Sequence, residues 1–270
     1  MSELSLQGRI ALITGAGSGL GAAFARRLAV DGARIVVNDL DEAAADAVAK
    51  EVEGEAVVFD VTDAAAFDAS VDDVVARHGR LDIMINNAGI APPFNPARFD
   101  LAMANSMLRM EGRIAEMAPT SVLSALPDAE WDRMIRVHLY GTFHGCRAAL
   151  RHMEPVRRGA IVNVGSVLGL KPSGSAPDYS TAKAAIIALT KAVAEEVAHL
   201  GIRVNAICPG YVDTPLLSEL TEEVRQAILL RIGSGRMASA DELAQVVRFL
   251  VGDEASYCTG EVWSASGGYG

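Results

Sequence analysis

The sequence predicts a doubly wound α/β protein, in which helices cover both faces of a single parallel sheet. Short apolar, β-branched segments alternate along the chain with alanine-rich segments whose apolar residues recur at helical spacing. The apolar segments are continuous rather than alternating, which is typical of strands buried on both faces. With 270 residues the chain can bury a large core, and no segment has the composition of a linker. We therefore predict a single domain over residues 1–270.

Six strands are predicted in chain order. They are the segments RIALIT (9–14), RIVVN (34–38), AVVF (56–59), IMI (83–85), AIVNV (160–164) and RVNAI (203–207). Residues 22–30 and 67–75, which lie between strands, have helical spacing. Because right-handed crossovers bring the carboxyl ends of parallel strands to one edge of the sheet, we expect the ligand crevice at that edge.

The charge, the cysteine content and the apolar segments of the chain argue against several classes of function. The formal net charge is -10 and no basic run occurs, so binding to nucleic acid or to an anionic membrane is not expected. The three cysteines are widely spaced and form neither a metal-binding motif nor an even disulfide set, so we expect reduced thiols and no bound metal. The first apolar stretch is too short for a signal sequence, and no apolar run reaches the roughly 20 residues that span a bilayer. We expect a cytoplasmic protein that binds a small molecule.

A glycine-rich loop follows the first predicted strand. It reads TGAGSGLG over residues 14–21, and a predicted helix comes directly after it. Gly15, Gly19 and Gly21 allow a tight turn and let backbone N–H groups approach a pyrophosphate at the helix N-terminus, where the helix dipole favours negative charge. Strand, glycines and helix together favour a dinucleotide-binding loop over a simple glycine-rich turn.

An aspartate stands where a ribose would be recognised. The second predicted strand ends in VVNDLD, which places Asp39 roughly 20 residues after the glycines, where a carboxylate accepts hydrogen bonds from adenosine ribose hydroxyls. A 2′-phosphate would meet like charge there, and neither Ser18 nor Leu40 supplies a compensating cation. The pattern favours NAD over NADP, and the alternative is a solvated loop aspartate.

Tyr179 and Lys183 lie four residues apart in the helical segment SAPDYSTAKAAIIAL. Residues at this spacing share a helical face, so the phenol and the ammonium are expected side by side. A phenol has an unperturbed pKa of about 10, and a neighbouring positive charge favours its ionised form, so such a pair can take up or release a proton near neutral pH. The plain alternative is a tyrosine at a helix start with a solvated lysine nearby.

Five segments occur in the order and spacing of one known family. They are TGAGSGLG (14–21), NNAG (86–89), VGS ending at Ser166, YSTAK (179–183) and PGYVDT (209–214). In these motifs, over nearly its whole length, the chain resembles the short-chain dehydrogenase/reductase family. The resemblance implies a Rossmann fold and hydride transfer between NAD(P) and an alcohol or carbonyl. It also implies a catalytic core of Ser166, Tyr179 and Lys183, in which Tyr179 exchanges the proton and Ser166 donates to the substrate oxygen.

The resemblance implies further contacts as well. Lys183 is expected to hold the nicotinamide ribose in addition to its effect on Tyr179. A homotetramer is implied, in which the long helices around His144 and Ala192 pack between subunits. The residues expected to bind cofactor are Gly15, Ser18, Gly19, Leu20, Gly21, Asp39, Asp60, Val61, Asn87, Gly89, Tyr179, Lys183, Val212 and Thr214.

The chain departs from the family pattern at His138. In the segment WDRMIRVHLYGTF, His138 stands where the family usually has an asparagine that helps to hold a water linking the lysine to solvent. An imidazole can also bind a water and titrates near neutral pH, so we predict a modified proton relay whose protonation below about pH 6.5 slows turnover. The alternative is a buried histidine that is satisfied by the backbone.

A second departure is an insertion at about 94–120, after the fourth predicted strand. Its Met103, Met107 and Met110 recur at helical spacing. Methionine-rich helices commonly fill gaps in packing, but this one leaves the carboxyl edge of the sheet beside the expected active site. We predict a partly helical segment that acts as a substrate lid or as a subunit contact.

These features together favour an NAD-dependent oxidoreductase that acts on a secondary alcohol or its ketone, with oxidation as the working direction. An enzyme alternative is a 3-oxoacyl thioester reductase, which shares all five motifs. A non-enzyme alternative is a nucleotide-sensing protein of the same fold, although a sensor would have no use for Ser166, Tyr179 and Lys183.

Overall fold

The computed structural model describes residues 5–92, 95–214, 217 and 221–269. Their strands form one seven-stranded sheet in the order β3-β2-β1-β4-β5-β6-β7, and every neighbouring pair is parallel. The bounds are β1 Ile10–Thr14, β2 Arg34–Asp39, β3 Glu55–Val58, β4 Ile83–Asn86, β5 Gly159–Val164, β6 Ile202–Pro209 and β7 Val262–Ala265. The doubly wound fold predicted from the sequence is confirmed.

Helices cover the two faces of this sheet. The α-helices are α1 Gly19–Val30, α2 Glu42–Glu51, α3 Ala64–His78, α4 Pro96–Met110, α5 Asp128–Ile135, α6 Gly141–Val156, α7 Val167–Leu170, α8 Pro177–Val197, α9 Glu222–Leu229 and α10 Ala240–Val251. One apolar layer contains Phe24 of α1 and Leu250 of α10. The layer on the opposite face contains Phe67 of α3 and Met153 of α6. Both faces of the central strands are therefore dry, which explains their uninterrupted apolar sequences.

The sheet contains one strand that the sequence analysis missed. The six predicted strands are all present, with ends that differ by at most two residues. The missed strand, β7, lies at an edge and is only partly buried, with Trp263 38% exposed. Its sequence VWSA has no continuous apolar run, so the pattern that revealed the central strands could not reveal this one.

The long helix before β5 is interrupted by a wider turn. Residues Arg136–Tyr140, between α5 and α6, have π-helical hydrogen bonding and include His138. Such a single π turn within an α-helix is frequent at functional sites, and the periodicity of the sequence gave no sign of it. No helix among the described residues combines the length and the apolar character needed to cross a bilayer.

The inserted segment folds as predicted in part. Residue 94, where the insertion is predicted to begin, lies outside the described residues. The segment that follows forms α4 and a short 3-10 turn at Ile114–Glu116. The buried amide of Asn105 donates to the Ala118 carbonyl at 2.7 Å and accepts from the Ala118 N–H at 3.1 Å. This two-way clamp closes the insertion on itself, while Met107 and Met110 are exposed.

Candidate active site

The glycine-rich loop has the close approaches that its sequence predicts. Gly15 has a φ of 61°, and a Cβ there would stand 2.8 Å from the Ala88 Cα. A Cβ on Gly21 would stand 2.3 Å from the Gly15 carbonyl oxygen. A side chain at Gly15 would push the loop away from Ala88, which follows β4, and one at Gly21 would push the loop away from the start of α1. Both glycines are therefore required by packing.

The N-terminus of α1 is open to an anion. Ser18 is the N-cap residue, but its side chain makes no capping hydrogen bond, and the first turn of α1 contains no acidic residue. The first N–H groups of a helix have no partner within the helix and carry the positive end of the dipole. The loop and helix end together form a cradle that fits a pyrophosphate.

Asp39 is held at this loop. Its Oδ2 accepts from the Gly17 N–H at 2.9 Å, and its Oδ1 accepts from the Asp41 N–H at 3.2 Å. A Cβ on Gly17 would stand 2.8 Å from Asp39 Oδ2, so glycine is also needed there. The carboxylate predicted to meet the ribose therefore lies beside the cradle, with its orientation fixed by the loop itself.

Other residues predicted to bind cofactor have structural partners already. The Asn87 amide donates to the carbonyl oxygens of Thr14 and Gly15, each at 2.9 Å, and so ties β1 to the strand beside it. Asp60 is exposed and accepts from the Thr62 N–H at 2.8 Å. Val61 is buried. Asp60 thus shapes the turn that leads into α3. This structural role is compatible with the predicted contact between Asp60 and the cofactor.

A loop after β6 closes over the glycines. Val212 is buried and pairs with Ala238, whose N–H donates to the Tyr211 carbonyl at 3.0 Å. The Thr214 Cβ lies 3.9 Å from the place where a Cβ on Gly19 would stand. Val212 and Thr214, which are both predicted to bind the cofactor, are therefore brought to the same edge of the sheet as the glycine-rich loop.

Ser166, Tyr179 and Lys183 meet at the carboxyl end of β5. Ser166 is the N-cap of α7, and its Oγ accepts from the Leu168 N–H at 3.1 Å. Lys183 is buried in α8, lies 5.7 Å from the Tyr179 ring centroid and donates from Nζ to the Val164 carbonyl at 2.7 Å. The structure thus brings together the three side chains that the sequence singled out.

Burial controls the protonation of these groups. Burial raises the pKa of Tyr179, and the hydrogen bond with the Ser166 hydroxyl lowers it in part. Burial also lowers the pKa of Lys183 to about 7. The sequence analysis expected Lys183 to favour the phenolate of Tyr179. The structure corrects this, because the lysine is buried with the phenol and loses much of its own charge at neutral pH.

His138 lies edge-on to Tyr179, with ring centroids 5.2 Å apart. Its Nε2 is 2.9 Å from the Ile90 carbonyl oxygen, while its Nδ1 is buried without a partner among the described residues. Burial, reinforced by the charge of Lys183, holds the pKa of His138 well below its usual value. The ring is therefore neutral at pH 6.5, and the expected protonation near that pH is wrong.

Two further features of the site were missed. Cys208, near the end of β6, carries a buried thiol whose pKa burial raises to about 11. Tyr211 lies just beyond it and contacts Tyr269, with ring centroids 5.5 Å apart. Their position after the carboxyl ends of β6 and β7 was the available signal, because all ligand-facing loops of such a sheet share that edge.

A phosphate cradle at a helix N-terminus, beside a phenol and a buried lysine, defines a nicotinamide-dependent oxidoreductase. The sequence matches the family described as short chain dehydrogenase over residues 9–225. It is 35% identical over 270 residues to 3-oxoacyl-(acyl-carrier-protein) reductase FabG of Thermotoga maritima, covering 98% of this chain and 99% of the relative. It is 39% identical over 265 residues to cis-4-hydroxycyclohexanecarboxylate dehydrogenase of Sinomonas cyclohexanicum, covering 97% of this chain and 96% of the relative.

Solved structures agree with the sequence relatives. The crystal structure of levodione reductase superposes with a TM-score of 0.83 at 32% identity, covering 97% of this chain and 98% of that chain. The chain belongs to the short-chain dehydrogenase/reductase family. It is an oxidoreductase that acts on CH–OH or ketone groups with a nicotinamide cofactor.

Proposed function

We propose that this protein is an NAD-dependent dehydrogenase that oxidises a secondary alcohol to its ketone, with Tyr179 exchanging the proton. The observation that carries the proposal is the convergence of Ser166, Tyr179 and Lys183 at the same sheet edge as the glycine cradle. Val212 and Thr214 would hold the nicotinamide end of a cofactor bound in that cradle, at the sheet edge that also carries Tyr179. The bound nicotinamide supplies the hydride acceptor.

The side chains divide the proton chemistry among them. Ser166 Oγ accepts a backbone N–H, and its hydroxyl also forms a hydrogen bond with Tyr179. When substrate is present, the same proton can be donated to the substrate oxygen and fix it near Tyr179. The Tyr179 oxygen takes the hydroxyl proton as the alcohol becomes a ketone, and returns it in the reverse direction. Because burial raises the pKa of Tyr179, the positive charge of the oxidised cofactor is needed to favour the phenolate.

Asp39 supports the choice of NAD. Its carboxylate is held beside the glycine-rich loop by the Gly17 N–H, where it can accept from both ribose hydroxyls and would repel a 2′-phosphate. The side chain that follows it, Leu40, is apolar and 66% exposed, so it offers no cation. We expect at least about tenfold higher kcat/KM with NAD than with NADP, about 1.4 kcal/mol. Equal use of the two would contradict this assignment.

The second candidate function is 3-oxoacyl thioester reduction, which the FabG relatives favour. The two functions differ in preferred cofactor and in substrate size. NADH or NADPH oxidation with an acetoacetyl thioester, compared with NAD reduction by cyclic secondary alcohols including 4-hydroxycyclohexanecarboxylate, separates them. A higher kcat/KM with the thioester than with every alcohol would replace the leading proposal.

His138 is proposed as the acceptor for a water in the proton path from Lys183. His138 Nε2 lies 2.9 Å from the Ile90 carbonyl oxygen and 3.2 Å from the Ile90 nitrogen. In the tautomer that donates from Nε2 to the carbonyl, the buried Nδ1, which has no partner among the described residues, is the atom that would accept from the water. His138→Asn should retain most activity, and His138→Leu should lose turnover while retaining cofactor affinity. A leucine variant with wild-type turnover would make His138 a packing residue.

We also propose a cytoplasmic homotetramer. All three cysteines are free thiols, which is typical of a reducing compartment. The proposed subunit contact is made by the long helices around His144 and Ala192. The His144 ring is itself buried within its own chain, and its Nδ1 contacts the Val61 carbonyl at 2.9 Å. The neighbouring Tyr140 and Phe143 are exposed and are better candidates for the contact. Sedimentation equilibrium tests the tetramer.

The central experiment uses Tyr179→Phe, which removes only the hydroxyl. Turnover of the best alcohol should fall at least about a thousandfold, because the proton has no acceptor, while titration calorimetry should show unchanged NAD affinity. Tyr257→Phe is the matched control, since Tyr257 is a fully exposed tyrosine. If Tyr179→Phe retained more than about a tenth of the turnover, Tyr179 would not be the proton acceptor.

A further inference from the structure

Residues 266–269, here named the C-terminal turn, fold back over the sheet edge after β7. Gly267 and Gly268 have φ values of 62° and 78°, which L side chains rarely adopt, and they reverse the chain. The Tyr269 N–H donates to the Ser266 carbonyl at 3.2 Å, so the reversal is a closed turn. Its effect is to place the Tyr269 side chain inside the protein, with 6% of its surface exposed.

The C-terminal turn is joined to the segment that follows α9. The Ser234 N–H donates to the Gly267 carbonyl at 2.8 Å, and Tyr269 pairs with Ile232 in an antiparallel bridge. Tyr269 and Ile232 share an apolar cluster with Val167, the residue that follows Ser166. The turn is therefore part of the wall beside the proposed catalytic serine.

Tyr269 also contacts the loop that carries Tyr211. The Tyr211 ring lies 5.5 Å from the Tyr269 ring, and their hydroxyl groups form a hydrogen bond. Burial raises the pKa of Tyr211, the Tyr269 hydroxyl raises it further, and the nearby Tyr179 adds to the rise. Tyr211 therefore lies close enough to Tyr179 for the ionisation of one phenol to disfavour that of the other.

The hydroxyl groups of Tyr211 and Tyr269 have one proton available for a further hydrogen bond. Two phenols carry two protons, and one hydrogen bond between them uses one. Among the described residues, neither hydroxyl has another hydrogen-bond partner. The second hydroxyl proton is available to a ligand, so a substrate group that accepts hydrogen bonds would bind at this pair.

Two cationic side chains converge on the same turn. Lys171, just after α7, donates from Nζ to the Tyr269 carbonyl at 3.4 Å, which leaves two of its three protons for other acceptors. No carboxylate of the described residues forms an ion pair with it. The Arg231 guanidinium lies over the Tyr269 ring at 4.7 Å. In a chain with a net charge of -10, the Lys171 ammonium supplies a local positive charge that favours an anion.

We propose that the C-terminal turn forms a wall of the substrate pocket, and that Tyr269 and Lys171 select an alcohol that carries a carboxylate away from its reacting hydroxyl. The proposal rests on the dehydrogenase function proposed above and adds the chemical class of the substrate. The carboxylate accepts from the hydroxyl pair and from Lys171, while the apolar cluster packs against the carbon skeleton. Tyr269 is a specificity-determining residue here, not a catalytic one.

The test compares an acid with its neutral ester. Kinetics are measured with NAD for 4-hydroxycyclohexanecarboxylate and for its methyl ester, which differ in charge but share the reacting hydroxyl. Wild type should have a KM at least about tenfold lower for the acid, with similar kcat values. Lys171→Met should raise the KM for the acid about tenfold and leave the ester unchanged. Lys191→Met, which removes an exposed lysine from α8, is the control and should change neither.

Tyr269→Phe separates recognition from packing, because the ring stays and only the hydroxyl is lost. It should raise the KM for the acid severalfold with little change in kcat or melting temperature. Equal KM values for acid and ester in wild type, or equal effects of Lys171→Met on both, would overturn the proposal while leaving the dehydrogenase function intact. If wild type oxidised neither compound, calorimetric binding of the two to the NAD complex decides, and equal affinities would refute selection of a carboxylate.

Discussion

Lys183 should lower the stability of the folded protein, and the cost can be worked out from its pKa. Burial lowers that pKa from 10.5 to about 7, so between these values the unfolded chain binds a proton that the folded chain does not. Stability therefore rises as pH rises from about 7 toward 10.5 and is constant below that range. At about 1.36 kcal/mol per pH unit, the group costs roughly 4 kcal/mol at pH 7 and roughly 2 kcal/mol at pH 9.

Lys183→Met removes this cost at every pH. The variant also loses the hydrogen bond from Nζ to the Val164 carbonyl, which contributes about 1 kcal/mol. The variant should therefore be more stable than wild type by about 3 kcal/mol at pH 7 and by about 1 kcal/mol at pH 9. It should be inactive at both, because the lysine beside Tyr179 is gone.

Urea unfolding at pH 7 and pH 9, with protein concentration matched, measures these differences. Groups shared by both proteins, including the buried thiols, cancel when variant and wild type are compared at one pH. Lys191→Met should stay within about 0.5 kcal/mol of wild type, as an exposed lysine does. If the variant were less stable than wild type at pH 7, or if its advantage were the same at both pH values, the buried lysine would not carry the cost assigned to it.

Three further substitutions test the local structure. Gly21→Ala puts a Cβ against the Gly15 carbonyl and should weaken NAD binding at least about tenfold by calorimetry; unchanged affinity would show that the cradle tolerates a side chain. Asn105→Ala breaks the clamp on Ala118 and should speed proteolysis within the insertion without lowering the melting temperature; unchanged cleavage would refute the clamp. Ser239→Ala removes the cap of α10 and should cost about 1 kcal/mol in urea unfolding, and a loss below 0.3 kcal/mol would count against it.

The central sheet could be predicted because its strands are buried on both faces. Each such strand is a continuous apolar run, and each run ends at the edge where the motif residues begin. Ser166 lies two residues after β5, and Tyr179 and Lys183 share one face of α8. Their meeting is thus a consequence of local spacing and of the shared direction of parallel strands.

The parts that escaped prediction depend on contacts between distant segments. Tyr211 and Tyr269 are brought together by two glycines with positive φ and by pairing with Ile232, and no local pattern encodes that pairing. The low pKa of His138 follows from burial and from the charge of Lys183, which together outweigh the hydrogen bond with Ile90 that raises it, and the sequence does not show these contacts.

The hydrogen bond between Asp39 and Gly17 has a consequence for cofactor engineering. A change to NADP use would ordinarily begin by replacing the carboxylate with a small neutral residue, but here that would also release the backbone of the phosphate loop. Asn at position 39 keeps an oxygen that can accept from the Gly17 N–H while it removes the charge. The exposed Leu40 is then the position for a cation to receive the phosphate, as in Leu40→Arg. The Asp39 side chain thus determines both the choice of cofactor and the rigidity of the phosphate loop. A redesign for NADP succeeds only if position 39 keeps an oxygen that accepts from the Gly17 N–H.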